Sequence, residues 1–510
     1  MMKKLLLIIA GLCALLQVHP LQARQPNVLF IAVDDLRTAL GCYGDPLAQS
    51  PNIDRLASQS RVFQRAYCMQ AVCGPSRTSL LTGRLPDNTG VWHNRNMFRD
   101  THPDLVTLPQ HFKNNGYQAV SLGKIFSGDQ RELDPASWSE PEILKQPGWK
   151  NSVKGGTKES GKGAAWEDAD VPDEGYSDGK LATLAIDKLA SFKASEKPFF
   201  LAVGFFKPHL PFNTPKRYWD LYDPKIFDID YDGKKVQNVS KHAHHSHREL
   251  GGYRDMPEDE HVAPATTRKL RHGYYACVSY VDAQIGKLLD ELDRLGLAEN
   301  TIVVLWGDHG YSLGEKDRWC KGTNFERDTR VPLIIRTPSM KQPGASSSSL
   351  VELVDLYPTL MSLAGLDPIK GLDGRSLHSI LDDPSVPGRN EVLSQFARPF
   401  SRNTPEFMGY SLRTVSHRYT RWVSWPDRKM VAEELYNYDD SSCASHEGAY
   451  RIEQQNIADL PDQKATVEQL SARLDDMLKQ RVRPIDPTST PPATIAPTEE
   501  SQPKKKRKKS

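Results

Sequence analysis

The side chains best suited to chemistry begin in one short string, Cys73-Gly-Pro-Ser-Arg77, which continues Thr-Ser-Leu-Leu-Thr-Gly83-Arg84. Pro75 suits the first turn of a helix, where its missing N–H costs nothing, and Gly83 suits the end of that helix. Cys73 therefore stands at a helix N-terminus, where unpaired N–H groups favour anions. Arg77, four residues on, can point back over the same turn. A second set is acidic: Asp34, Asp35 and Asp308, with His309 beside the last. Oxygen-rich groups of this kind suit Ca²⁺ or Mg²⁺. Three like charges converging without a cation would be expensive, so their convergence implies a metal.

Four apolar runs have to position these groups. Residues 28–33 end at Asp34-Asp35, residues 119–122 at Gly123-Lys124, residues 199–206 at Lys207-Pro208-His209, and residues 302–306 just before Asp308-His309-Gly310. Each reads as a buried strand that delivers polar residues at its carboxyl end. Alternation with helical patterns, such as residues 275–295, predicts an α/β fold with a largely parallel sheet. In such sheets ligands bind at the carboxyl edge. Residues 146–175 read as a polar surface loop. His242, His244, His245 and His247 lack the spacing of a structural metal site and read as an exposed loop.

A Pro/Asp/Gly-rich break over 382–389 precedes β-rich alternation at 408–414, 419–423 and 434–436, which predicts a small antiparallel sheet. Residues 467–478 read as a final helix. The expected organisation is a signal peptide over 1–23, a catalytic domain over 24–388, a smaller C-terminal α+β domain over 389–482, and a disordered Pro/Thr-rich linker with a basic tail over 483–510.

The opening Lys3-Lys4 and the apolar run 5–16 are too short to span a bilayer and read as a secretory signal with cleavage after Ala23. The expected location is secreted or periplasmic, without stable membrane insertion. Formal net charge is +2. The six basic residues of 504–509 and the two signal lysines conceal an acidic body, which argues against nucleic acid as a partner. Seven cysteines are few. With Cys13 in the signal and Cys73 set aside, Cys42, Cys68, Cys277, Cys320 and Cys443 leave room for one or two disulfides that spacing cannot assign.

The twelve-residue string resembles the signature of the type I sulfatases. The resemblance extends over roughly residues 25–480, through residues 26–37, 41–45, 50–57, 205–212 and 307–315, and through Lys321, Asn324-Phe325 and residues 331–333. It is best with the subgroup that includes iduronate 2-sulfatase, which carries Asp-His where most members carry Asp-Asn. The resemblance implies an alkaline-phosphatase-like fold: a large mixed, mostly parallel sheet flanked by helices, and a smaller domain on an antiparallel sheet. It implies that a formylglycine-generating enzyme converts Cys73 to 3-oxoalanine. It implies one Ca²⁺ held by Asp34, Asp35, Asp308 and His309 together with position 73. Arg77 would orient the hydrated aldehyde, and Lys124, His209 and Lys321 would hold the sulfate, with His209 or Lys321 protonating the leaving alcohol. The second hydroxyl of the diol would then expel sulfate by elimination.

The family usually has a histidine three residues after the lysine equivalent to Lys124; here Lys124-Ile-Phe-Ser127 has a serine, a poor base at neutral pH. His93, Arg95, Arg318 and Trp319 are candidate contacts to a sulfated sugar, an iduronate-like unit of an oligo- or polysaccharide attacked at a chain end. Two alternatives stay open: a phosphomonoesterase or phosphodiesterase of the same superfamily, and a weakly active or non-catalytic binder of sulfated glycans.

Overall fold

The apolar runs become the central strands of one sheet in a computed structural model. It describes residues 25–127, 133–143, 163–228, 235–244, 248–257, 261–400, 404–438 and 452–483. The signal-like segment, the basic tail, most of 146–175, His245, His247, Cys13 and Cys443 lie outside these residues. Strands β1 (Asn27–Val33), β2 (Arg61–Tyr67), β3 (Gln118–Gly123), β4 (Phe199–Phe205), β5 (Thr301–Gly307), β6 (Arg330–Val331), β7 (Leu333–Arg336) and β8 (Ser346–Glu352) make up the sheet. β1 lies between β4 and β5 and is parallel to both, and β3 continues the parallel array beyond β4. β7 runs antiparallel between β5 and β2, β6 pairs antiparallel with β2, and β8 runs parallel to β2. The sheet is mixed and mostly parallel.

β1 is buried along its whole length because cores cover both faces. Leu29, Ile31 and Val33 face one core, and Val28, Phe30 and Ala32 face the other. Helix α1 (Cys73–Thr82) packs into the second core through Leu80 and Leu81, and every one of its residues is buried. Gly83 ends it in the left-handed region at φ 64°. Helices α2 (Ser177–Ser195) and α3 (Pro264–Arg294) cover the opposite face. α3 starts well before residue 275, with Pro264 at its first position. Its opening turns are polar, so apolar periodicity alone does not reveal them.

Register places the chemistry. Val33 stands opposite both Phe205 and Gly307, so β1, β4 and β5 end level with one another. Asp34, the Lys207–His209 turn and Asp308 therefore leave the sheet at one height. On the other side of β4, Gly123 pairs with Gly204. A Cβ on Gly204 would come within 2.0 Å of the Lys124 carbonyl oxygen. That glycine lets the Lys124 backbone tuck against the sheet edge.

A second sheet forms an antiparallel meander of β9 (Glu391–Arg398), β10 (Phe407–Thr414), β11 (His417–Ser424) and β12 (Met430–Asn437). Helix α4 (Lys464–Arg481) covers it, with Leu470 and Leu474 packed against Met408, Tyr410 and Tyr419. This helix extends beyond residues 467–478 at both ends.

A buried charge network joins the second sheet to the first. Glu326 accepts from Arg413 Nε at 3.1 Å, Arg418 Nη2 at 2.7 Å and Tyr67 Oη at 2.9 Å. Its own backbone N–H donates to Glu453, which also pairs with Arg418. Cys42, Cys68, Cys73, Cys277 and Cys320 are all free thiols, so no disulfide joins any two described residues.

Candidate active site

Cys73 lies against the acidic strand ends. Its Sγ is 3.6 Å from Asp34 Oδ1, 3.4 Å from His309 Nε2 and 3.4 Å from Lys124 Nζ. The thiol is buried, and burial together with Asp34 pushes its pKa well above the ordinary thiol value, so the unmodified side chain is a poor nucleophile. The start of α1 is hooked from outside by Asn94, whose Oδ1 accepts from the Gly74 N–H at 2.9 Å.

Arg77 ties the cluster together. Its Nε donates to Asp308 Oδ2 at 2.8 Å and its Nη2 to Asp34 Oδ1 at 3.2 Å. Nη1 donates to the carbonyls of Lys124 and Ile125, and the guanidinium lies over the Trp306 ring. The rigid guanidinium fork thus fixes two carboxylates from different strands at once. Lys124 Nζ reaches Asp34 Oδ2 at 2.7 Å. Burial alone would raise the Asp34 pKa, but Lys124, His209 and Arg77 outweigh it and keep the carboxyl ionised.

Asp35 stands in the left-handed region at φ 59°, with its N–H donating to Asp308 Oδ1 at 3.0 Å. That unusual turn brings its carboxylate back over the sheet edge beside Asp34. Lys321 Nζ lies 2.9 Å and His209 Nδ1 2.6 Å from Asp35 Oδ2. His309 Nδ1 is 2.9 Å from the Gly310 carbonyl oxygen. A carbonyl only accepts, so Nδ1 carries a proton, and Nε2 faces Cys73 and Asp35.

These residues fit a hard divalent cation. Ligand atoms of Asp35, Cys73 and His309 lie within 4.8 Å of one another, and so do those of Asp34, Cys73 and Asp308. Three carboxylates and one oriented imidazole make the mostly oxygen donor set expected for Ca²⁺ or Mg²⁺. The carboxylates do not stand alone, however. Arg77, Lys124 and Lys321 already neutralise much of their charge, so charge convergence in the sequence is weaker evidence for a metal than the donor geometry.

All nine residues expected at the reacting centre and metal site converge here. The four expected sugar contacts do not behave alike. Trp319 packs within the core, and Arg318 lies over the Phe325 ring and donates to Thr323 Oγ1. Both are buried, and Trp319 lies in the short pairing of Trp319-Cys320 with Ser312-Leu313. Arg95 is exposed. The His93 ring packs on Phe400 and its Nδ1 accepts from the Arg95 N–H; burial and Arg95 push its pKa down to about 4, so it is neutral at pH 7. Ser127 is half-buried.

One site residue carried no signal in the sequence. Glu249, on the single turn Arg248–Gly251, pairs with Lys321 through both oxygens, at 3.0 and 2.9 Å, and its Oε1 is 3.4 Å from His209 Nε2.

With this geometry, the chain belongs to the sulfatase family, whose family model, described as Sulfatase, matches residues 26–366; a second, described as N-sulphoglucosamine sulphohydrolase, C-terminal, matches 314–480. It is a sulfuric ester hydrolase of the subgroup resembling iduronate 2-sulfatase. It is 36% identical to iduronate 2-sulfatase of Homo sapiens, over 82% of this chain and 90% of that one. It is 28% identical to N-acetylglucosamine-6-O-sulfatase of Bacteroides thetaiotaomicron, over 71% and 72% of the two chains. A solved structure in complex with its substrate D-glucosamine-2-N,6-O-disulfate superposes with a TM-score of 0.70 at 23% identity, covering 90% of this chain and 98% of that one. A phosphonate monoester hydrolase from Silicibacter pomeroyi shares the fold, with a TM-score of 0.69 at 22% identity, covering 90% and 96%.

Proposed function

We propose that this sulfatase hydrolyses sulfate esters of a sulfated carbohydrate, an iduronate-like unit at the end of an oligo- or polysaccharide, after Cys73 has been converted to 3-oxoalanine by a formylglycine-generating enzyme. The observation that carries the reading is the conversion-motif cysteine seated among Asp34, His309 and Lys124, within 3.6 Å of each. The proposed setting is outside the cytoplasm, after removal of residues 1–23. Among the described residues, no helix is long and apolar enough to cross a membrane.

The hydrated aldehyde supplies an oxygen nucleophile that can release sulfate by elimination, a route closed to a serine ester. Ca²⁺ held by Asp34, Asp35, Asp308 and His309 would supply Lewis acidity at that oxygen and at the sulfate. Arg77 holds the two carboxylates in place and, through α1, fixes position 73 relative to them. Lys124, next to position 73, and Lys321 and His209, both bonded to Asp35, would hold the anion. They neutralise the charge that shifts onto the transferring group. His209 Nε2 is the proton donor placed for the leaving alcohol, since Nδ1 is occupied by Asp35.

The test is a panel of defined sulfated oligosaccharides, assayed with protein whose Cys73 conversion has been confirmed by mass, beside matched phosphate monoesters. Release of sulfate from a sulfated sugar is the expected outcome. Faster phosphate hydrolysis would overturn it in favour of a phosphatase, and absence of turnover in favour of a binder. Chelation with EDTA should abolish sulfate release, and added Ca²⁺ should restore it.

A further inference from the structure

We propose that Glu249 sets the charge preference of the anion pocket, favouring singly charged sulfate monoesters over doubly charged phosphate monoesters and over the dianionic sulfate product. The inference rests on the function proposed above and assigns a role to a residue that the mechanism does not use.

Among the described side chains of the site, His209 and Glu249 are the most exposed to solvent. Asp34, Asp35, Arg77 and His309 are fully buried and Lys321 is 8% exposed, whereas His209 is 25% and Glu249 24% exposed. An incoming ester thus enters past His209 and Glu249. Glu249 touches Lys321 and His209, the two groups placed to hold the anion.

A carboxylate beside an anion pocket weakens the pocket, so its presence calls for a reason. Asp34, Asp35 and Asp308 are matched in number by Arg77, Lys124 and Lys321. A divalent cation would leave these groups two charges positive, and His209 protonated as the proton donor would bring the count to three. Glu249 removes one of those charges and so shifts the site's preference away from dianions and toward monoanions. A sulfate monoester carries one negative charge. A phosphate monoester carries nearly two above its second pKa of about 6, and free sulfate carries two. Repulsion from one fixed charge acts twice as strongly on a dianion as on a monoanion, so Glu249 selects substrate over phosphate and speeds product release.

The test compares the matured, calcium-loaded full chain with Glu249→Gln and Glu249→Asp. Inorganic sulfate and inorganic phosphate are titrated calorimetrically and as inhibitors of sulfate-ester hydrolysis. For a charge partly screened by solvent, Glu249→Gln should lower KM for a sulfate ester roughly fivefold and tighten sulfate and phosphate by about its square, ~25-fold. Its kcat should fall as product release slows, and its ratio of sulfate-ester to phosphate-ester kcat/KM should drop. Glu249→Asp keeps the charge and should keep the selectivity. If Glu249 merely anchors Lys321, both dianions bind Glu249→Gln more weakly, and the proposal is wrong. Unchanged affinity also overturns it. Should Glu249→Gln not fold, Glu249→Ala takes its place in the same titrations: tighter dianion binding supports the charge role, and weaker or unchanged binding overturns it. A failure of the broader function would show instead as absent sulfate release by the unmutated protein.

Discussion

Two of the buried charge clusters, the candidate site at the sheet edge and the seam between the two sheets, are built from different cations. At the seam, Glu326 is held by two guanidiniums and a phenol, and Arg418 is itself fixed by Ser411 and Thr329. Planar forks saturate the carboxylate and leave it nothing further to bind. At the site, Asp35 is met by an ammonium and imidazoles, point donors that can turn toward a ligand. Arg77 is the exception: it works like a seam residue, bracing Asp34 and Asp308 over Trp306. Buried carboxylates alone thus do not mark a site; the partner cations tell architecture from binding.

The contrast is broken most severely at position 73. Cys73→Ala should reduce sulfate-ester turnover by about 10⁴-fold or more while leaving the melting temperature of the folded protein nearly unchanged; substantial residual turnover would remove position 73 from the mechanism. The seam should answer in the opposite sense. Glu326→Ala strands two buried guanidiniums and should cost about 3–5 kcal/mol of stability, measured by denaturant unfolding, with activity per folded molecule within about threefold of the parent.

Acid sharpens the same contrast. Arg413 and Arg418 outweigh burial and hold the Glu326 carboxyl at about 2, against 4.5 when free. A depressed folded pKa means that this stabilisation is complete above pH 4.5 and is lost as pH falls toward 2. The parent should therefore lose about 3 kcal/mol more stability across that interval than Glu326→Gln does; identical acid unfolding curves would refute the linkage. The smallest effect is expected at His93, where alanine should change kcat/KM by less than about threefold, because the ring packs on Phe400 and is neutral at pH 7. A loss of a hundredfold or more would instead make His93 the substitute for the histidine absent at Ser127.

The sheet edge was legible in the sequence because each parallel strand is a continuous apolar run followed at once by its polar residue. Asp34, Lys124, His209 and Asp308 could be read without knowing which strands adjoin. Glu249 could not, since it sits on one helical turn in a polar, histidine-rich stretch without periodicity. Nor could the seam. Arg413 and Arg418 look like the outward residues of alternating strands, yet their face of the second sheet is covered by Glu326 and Tyr67. Arg318 and Trp319 have the types of a sugar platform, yet Trp319 is buried in the core and Arg318 against Phe325, which residue type alone does not reveal.

The complete burial of α1 bears on the order of events in the life of the chain. Under the proposed conversion an enzyme would have to reach Cys73, and in the folded protein the residues around it form a helix whose every residue is buried. The proposed conversion would therefore have to act on the newly made chain, before the sheet closes over it. Under the same proposal, protein that folds with its cysteine intact would be a finished but inert product, which later exposure to the converting enzyme should not rescue unless the chain is first unfolded.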